Sequence, residues 1–222
     1  MKIFLVIPLH NEEKQVNQVL NGLSKSVFNI VVVDDGSTDG SMQILKKSDI
    51  PHLSILTHKV NLGKGAAMKT GADYAFENGA DAVIFIDADG QHSPKNVENF
   101  IEKLNMKKYD VIFGSRNLSF GVPLVRYMGN KIASVVIRLL FGVYISDPIC
   151  GFRAITKNAY SKIKWESTGY GVETEILARV GKNNLRFTEV PVDTIYHDKD
   201  KGVTMIDAFG VLGDVLKWRL TI

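Results

Sequence analysis

Asp87 and Asp89 stand at the end of an apolar run, Ala82-Val83-Ile84-Phe85-Ile86, with only Ala88 between them. In an extended or turning chain, side chains two apart point to one side. Two carboxylates held that way repel each other, and a bound cation relieves the repulsion. A hard divalent ion takes oxygen ligands and keeps room for water and substrate phosphates. Gln91, two residues further on, offers a neutral carbonyl oxygen. Asp87, Asp89 and Gln91 are therefore candidate ligands for Mg²⁺ or Mn²⁺, although a solvated acidic turn after a strand has the same short pattern. The adjacent His92 reads as a structural hydrogen-bonding residue.

Other polar clusters have their own chemistry. In Asp34-Asp35-Gly36-Ser37 a carboxylate at a strand end can accept the imino hydrogen of uracil or guanine. The same residues also suit an acidic turn with Ser37 or Asp39 capping a helix. Asn61-Leu62-Gly63-Lys64-Gly65 is a glycine-bracketed loop before a helix, where Lys64 can meet a nucleotide's phosphates or base. Neither GxxxxGK[ST] nor GxGxxG is present, which excludes the commonest ATP and dinucleotide signatures. Glu173 and Glu175 fit two readings: a general base for a hydroxyl acceptor, or the polar face of a helix whose apolar side is Val172, Ile176, Leu177 and Val180.

These clusters need elements to position them. Ile3 to Ile7, Ile30 to Val33, Leu53 to Leu56, Ala82 to Ile86 and Val111 to Phe113 read as strands. Between them, Val16, Val19, Leu20 and Leu23 recur at helical spacing after Asn11, a candidate cap. Lys64 to Phe76 is a helix rich in small residues that allow close packing on a sheet. Ser93-Pro94 opens another, with Ser93 as its cap and Pro94 at the first position, and with Val97, Phe100, Ile101 and Leu104 on its apolar face. The βαβα order predicts an α/β fold: a single domain over 1–222 with a mainly parallel, Rossmann-like central sheet and helices on both faces. Ligands of such sheets bind at the carboxyl ends of the strands. The polar clusters fall at those ends, including Gly114-Ser115-Arg116.

Composition narrows the classes. With 222 residues, 45% hydrophobic, the chain can bury one large core. A formal net charge of +3 is too mild to point to nucleic acid. Cys150 is the single cysteine, which rules out an internal disulfide and fits a reducing cytoplasm. The apolar N-terminal stretch is too short for a signal peptide and reads as a strand. No apolar run approaches the roughly 20 residues that span a bilayer. The segment 123–141 carries Arg126, Lys131 and Arg138, no acid, and a broad apolar face. It reads equally as an interfacial helix on an anionic membrane or as a core helix with solvated bases. A second amphipathic helix is expected over 204–219.

The order of the motifs says more than any one of them. VIPLHNEE, VVVDDGSTDGS, NLGKGAAMKTG and FIDADGQHSP resemble the family-2 glycosyltransferases of GT-A fold. DVIFGSRN, SDPICGFRAITKNAY, GYGVETEILARV and FTEVPVDTIYHDKDKGVT are similar to the dolichol- and polyprenol-phosphate sugar synthases within that family. The resemblance implies that Pro8, His10 and Glu12 line the nucleoside pocket and that Val33 and Asp35 hold the base. Where many relatives carry Tyr, this chain has His10. It further implies that Lys64, Asp87, Ala88 and Asp89 meet the donor diphosphate, with Asp87, Asp89 and Gln91 on Mg²⁺ or Mn²⁺. Arg116, Arg126 and Lys131 would take the acceptor phosphate, and Asp89, Arg116 and Arg126 form the implied catalytic set. Lys199, Lys201 and Thr204 would close over the donor in a loop where relatives often use Arg, a bidentate fork rather than a point charge.

The implied activity is metal-dependent, inverting transfer of mannose or glucose from GDP-mannose or UDP-glucose to polyprenyl or dolichyl phosphate. Charge builds on the departing diphosphate, and a divalent ion with basic side chains stabilises it. A phosphate monoester is largely anionic at neutral pH and needs positioning, not a base. Transfer to a saccharide or other hydroxyl, and a non-catalytic nucleotide-sugar-binding module, are the alternatives. The implied location is the cytoplasmic face of the membrane, peripherally, or through a separate membrane-anchoring protein.

Overall fold

A computed structural model describes residues 1–23, 28–116 and 124–193, together with Val215, Trp218 and Arg219. Among them the strands are β1 (Ile3–Leu9), β2 (Asn29–Asp34), β3 (Leu53–Thr57), β4 (Ala82–Phe85), β5 (Val111–Arg116), β6 (Arg153–Thr156) and β7 (Phe187–Val192). The helices are α1 (Glu13–Leu23), α2 (Ser41–Lys46), α3 (Lys64–Glu77), α4 (Val97–Asn105), α5 (Leu124–Phe141), α6 (Lys157–Ile163) and α7 (Val172–Lys182). The strands form one sheet in the order β3-β2-β1-β4-β6-β5-β7.

Strand alternation builds two core layers. Phe4, Val6, Val31, Val33, Phe85 and Phe113 face α3, α5, α6 and α7 on one side. Leu5, Ile7, Ile30, Val32, Ile84 and Ile112 face α1, α2 and α4 on the other. The small residues of α3 serve as expected: a β-carbon on Gly71 would sit 2.4 Å from Val6 Cγ1. Val215 and Trp218 are buried in the first layer, so the Trp218 ring belongs to the core. The rest of 204–219, with Lys199, Lys201 and Thr204, lies outside the described residues.

The expected sheet is mainly parallel, and the structure adds one reversal. β6 runs antiparallel between β4 and β5. The reason is the path of the chain. After α5 it passes Asp147 beside Arg116 at the carboxyl end of β5. It then passes Gly151 beside Asp87, beyond the end of β4. It therefore enters the sheet from the edge where the other strands finish, and Arg153 begins the descent.

Two cap assignments are corrected. Asn11 adopts φ 54 and does not cap α1; its side-chain oxygen accepts the Thr38 N–H at 2.8 Å. The N-terminus of α1 is satisfied from a neighbouring loop, with Ser41 Oγ accepting the Glu12 N–H and Asp39 accepting the Glu13 N–H, both at 3.0 Å. Ser93 makes no side-chain cap bond, because Pro94–Asn96 form a 3₁₀ turn before α4 begins.

Candidate active site

Asp87 and Asp89 are half-buried where the chain leaves β4. Asp89 Oδ1 accepts the Gln91 N–H at 2.9 Å, and Gly90 between them takes φ 71, a left-handed turn that suits glycine. Asp87 is already compensated: its Oδ1 lies 2.8 Å from Lys64 Nζ, at the start of α3. The same amine is 2.8 Å from Glu173 Oε1, in the first turn of α7. Lys64 thus bridges two carboxylates from distant parts of the chain.

The electrostatics follow from burial and neighbours. Burial disfavours the Lys64 charge, but Asp87 and Glu173 outweigh it and hold the amine well above the ordinary lysine range. Burial likewise works against the Asp87 charge, yet Lys64 and then His92 keep the carboxyl below its usual value. Asp89 has no such partner among the described residues. Burial and the Asp87 charge push it up to about 6, and Glu12 adds repulsion. Burial pulls His92 down to about 4, so its ring is neutral at physiological pH. Its Nε2 is 3.9 Å from Asp87 Oδ2, and its Nδ1 has no partner among the described residues.

Glu173 and Glu175 are not a solvated face; both are buried, because the first two turns of α7 are enclosed on all sides. Glu175 accepts the Glu166 N–H at 2.9 Å, the Ser167 N–H at 2.7 Å and Arg179 Nε at 2.6 Å. This holds the 166–168 segment against the glycine-bracketed loop. Trp165 Nε1 donates to Gly65 O at 2.9 Å, and the Ala66 N–H donates to Thr168 O at 3.2 Å. A β-carbon on Gly65 would fall 2.1 Å from Ser167 O, so this glycine makes room for the protein's own backbone.

Asp35 has a comparable organising position. It accepts the Leu62 and Gly63 N–H groups at 2.9 and 2.7 Å, and His58 Nδ1 lies 2.7 Å away. These bonds tie the 58–63 loop to the end of β2. His10 Nδ1 is 2.9 Å from Asp35 O, and Pro8 is paired with Val33 across β1 and β2. The residues expected around a nucleoside thus share one corner of the sheet.

The basic corner lies across β6. Arg116, at the end of β5, meets the buried Asp147 in a fork: Nε to Oδ2 at 2.6 Å and Nη2 to Oδ1 at 2.9 Å. Asn130 Nδ2 donates to Asp147 Oδ1 at 3.2 Å, joining α5 to the same network. Lys131 is next along α5, its amine 5.7 Å from the Tyr127 ring centroid. Arg126 lies on α5, and its side chain falls outside the described residues. Met128, Ile132, Val135 and Leu139 form an outward apolar row on that helix, while Ile137 and Phe141 are buried.

The donor set suits a hard divalent ion. It consists of carboxylate oxygens, and Asp87 Oδ2 and Asp89 Oδ2 take no hydrogen bond among the described residues. Gln91 is half-buried beside them.

Sequence reasoning missed three partners. They are Asp147 for Arg116, Glu173 for Lys64, and the fully buried Arg153, whose guanidinium donates to the carbonyls of Glu173 and Cys150. Their motifs, SDPICGFR and GYGVETE, are visible in the sequence, but nothing local pairs Asp147 with Arg116, Glu173 with Lys64 or Arg153 with Glu173.

A family model described as Glycosyl transferase family 2 matches residues 4–164. The chain belongs to this family. It is 31% identical over 241 residues to the UDP-N-acetylglucosamine--dolichyl-phosphate N-acetylglucosaminyltransferase of Methanococcus voltae, across 98% of this chain and 96% of the relative. It is 27% identical to the undecaprenyl-phosphate mannosyltransferase of Micrococcus luteus, across 99% of this chain and 95% of that one. Among solved structures, it resembles glucosyl-3-phosphoglycerate synthase from Mycobacterium tuberculosis in complex with Mn²⁺, UDP-glucose and phosphoglyceric acid. That likeness has a TM-score of 0.71 at 20% identity, covering 99% of this chain and 78% of the other, and is one of fold. This family-2 glycosyltransferase therefore has the expected GT-A architecture, with its acidic pair, the Pro8–Val33–Asp35 cluster and the basic corner along the carboxyl edge of one sheet.

Proposed function

We propose that this glycosyltransferase moves a sugar from a nucleotide donor to a polyprenyl phosphate at a membrane surface, inverting the anomeric centre. The observation that carries the reading is the Arg116–Asp147–Asn130 network, which joins the site edge to a helix with an apolar and basic outer face. On that helix Ile132 is 58% and Leu139 79% exposed. Lys131 and Arg138 lie against Tyr127 and Tyr144, with their charges near the same face. Such a surface suits the headgroup level of an anionic bilayer, and no described helix is long and apolar enough to cross one.

Asp87, Asp89 and Gln91 would hold the divalent ion. When bound, the ion offsets the charge that builds on the departing diphosphate. Pro8, His10, Glu12, Val33 and Asp35 frame the nucleoside. Asp147 fixes the plane of Arg116, which with Arg126 and Lys131 would receive the acceptor phosphate. That phosphate attacks as an anion, so no side chain needs to remove a proton. The alternative hydroxyl acceptor requires a base, yet Glu173 is committed to Lys64 and Glu175 to Arg179 and two backbone N–H groups. Both named relatives act on lipid phosphates by their names, which supports the acceptor class. They differ in the sugar they carry.

The test is a donor screen on the protein with lipid vesicles present. GDP-mannose, UDP-glucose and UDP-N-acetylglucosamine are each offered with a short polyprenyl phosphate and Mn²⁺ or Mg²⁺, and products are identified by mass. One donor yielding a polyprenyl-phosphate sugar is expected. Transfer only to saccharide hydroxyls would overturn the acceptor, and equal turnover in a chelator would overturn the ion.

A further inference from the structure

We propose that Lys64 holds the cation's place at Asp87 until a diphosphate arrives, so that ion and nucleotide load together rather than in sequence. The inference rests on the ion site proposed above and adds the residue that controls its occupancy.

The geometry is that of a shared counter-ion. Lys64 Nζ is 2.8 Å from Asp87 Oδ1 and 2.8 Å from Glu173 Oε1. The Lys64 side chain is only 20% exposed, held between Glu173 of α7 and the backbone at Gly151. Gly151 closes the other side, since a β-carbon there would lie 2.2 Å from Asp87 Oδ2 and 2.7 Å from Lys64 Nζ. Glu173 is fixed in turn. It lies in the first turn of α7, and its backbone carbonyl accepts Arg153 at 3.1 Å.

The charges explain the consequence. Asp87, Asp89 and Glu173 are three acids, while Lys64 and Arg153 are two bases in the same buried neighbourhood. An ion arriving alone must compete with an ammonium already bonded to one of its two carboxylates. An ion arriving with a diphosphate brings further negative ligands, and Lys64 can remain on Glu173 while Asp87 turns to the ion. Glu173 is then a positioning residue, because it acts through Lys64 and keeps the displaced amine paired.

Calorimetric titration of Mn²⁺ tests this, without nucleotide and with GDP or UDP at saturation. The wild type is expected to bind Mn²⁺ at least about tenfold more weakly alone than with one of the nucleotides. The double variant Lys64→Met/Glu173→Gln removes one buried charge of each sign and leaves Asp87 without its ammonium partner. It is expected to bind Mn²⁺ alone at least about tenfold tighter than the wild type. By reciprocity, nucleotide should then strengthen ion binding correspondingly less. Glu173→Gln alone leaves the amine entirely to Asp87 and should weaken ion-only binding, an opposite sign that a general loss of folding cannot imitate in the double variant. Unchanged ion-only affinity in both variants overturns the place-holder. Parallel loss with and without nucleotide in the double variant does the same, and would return Lys64 to a phosphate-binding role. Absence of Mn²⁺ binding to the wild type even with both nucleotides is a different failure, that of the ion site itself.

Discussion

Replacing Glu175 with glutamine should destabilise this enzyme severely without touching any residue proposed to contact substrate. The carboxylate is fully buried and accepts three bonds: Glu166 N–H, Ser167 N–H and Arg179 Nε. An amide keeps one acceptor and turns a donor toward one of these donors. Arg179, whose side chain is 14% exposed, loses its buried counter-charge, and its remaining carboxylate among the described residues is the exposed Glu166 at 3.2 Å. Breaking a buried pair from one side costs about 3–5 kcal/mol. For a chain of this size each kcal/mol moves the melting point by about 2–4 °C, so a fall of about 6–20 °C is expected. Differential scanning calorimetry of both proteins measures it.

The pH dependence of that difference carries a sign. Burial favours the protonated Glu175, but its hydrogen bonds from Ser167 and Glu166 and from Arg179 outweigh it, and the folded pKa lies below the ordinary value. The stabilisation is therefore present above the unfolded value of about 4.3 and is lost as pH falls through the lower folded value. The melting points of wild type and Glu175→Gln should converge in that acid window. A drop under about 2 °C at pH 7, or a gap that widens in acid, would refute the account of Glu175 as a charged staple.

Asp89→Ala should abolish the Mn²⁺-dependent part of donor binding; identical calorimetric affinities with and without Mn²⁺ in both proteins would remove its role as a ligand. Asp147→Ala should raise the KM for polyprenyl phosphate by about tenfold or more while leaving donor affinity within about twofold, since it releases the plane of Arg116; equal losses on both substrates would show that Arg116 serves the donor side as well. Burial pushes the Cys150 thiol up to about 12, so it should react with a disulfide reagent only on unfolding, and prompt modification of the native protein at pH 8 would contradict its burial.

How legible all this is in the sequence depends on the range of the interaction. The strand ends are legible because alternation and apolar runs are local, and Asp87, Asp89, Asp35 and Arg116 lie at or just beyond the carboxyl ends of strands, as the βαβα order predicts. Asn11 fails as a cap because the preference for Asn at that position is a local rule, and a loop from elsewhere supplied the acceptors. The helix at 172–182 looks amphipathic, yet its acids are buried: a charged residue can occupy an enclosed position when a distant base meets it, and no spacing reveals Lys64 to Glu173. β6 has too few residues for a period to express its direction. The helix at 124–141 has one apolar row inside and one outside, which is why its sequence pattern alone does not separate a core helix from an interfacial one.

The reversed strand has a mechanical consequence. One short strip of chain, from Ser146 to Arg153, clasps Arg116 at one end and abuts Asp87 and α7 at the other. The acidic pair and the basic corner are therefore gauged against the same ruler, and a shift in that strip changes the distance between Asp87 and Arg116. Transplanting a relative's donor pocket into this scaffold without its matching strip would misalign a reaction whose separate binding steps remain intact.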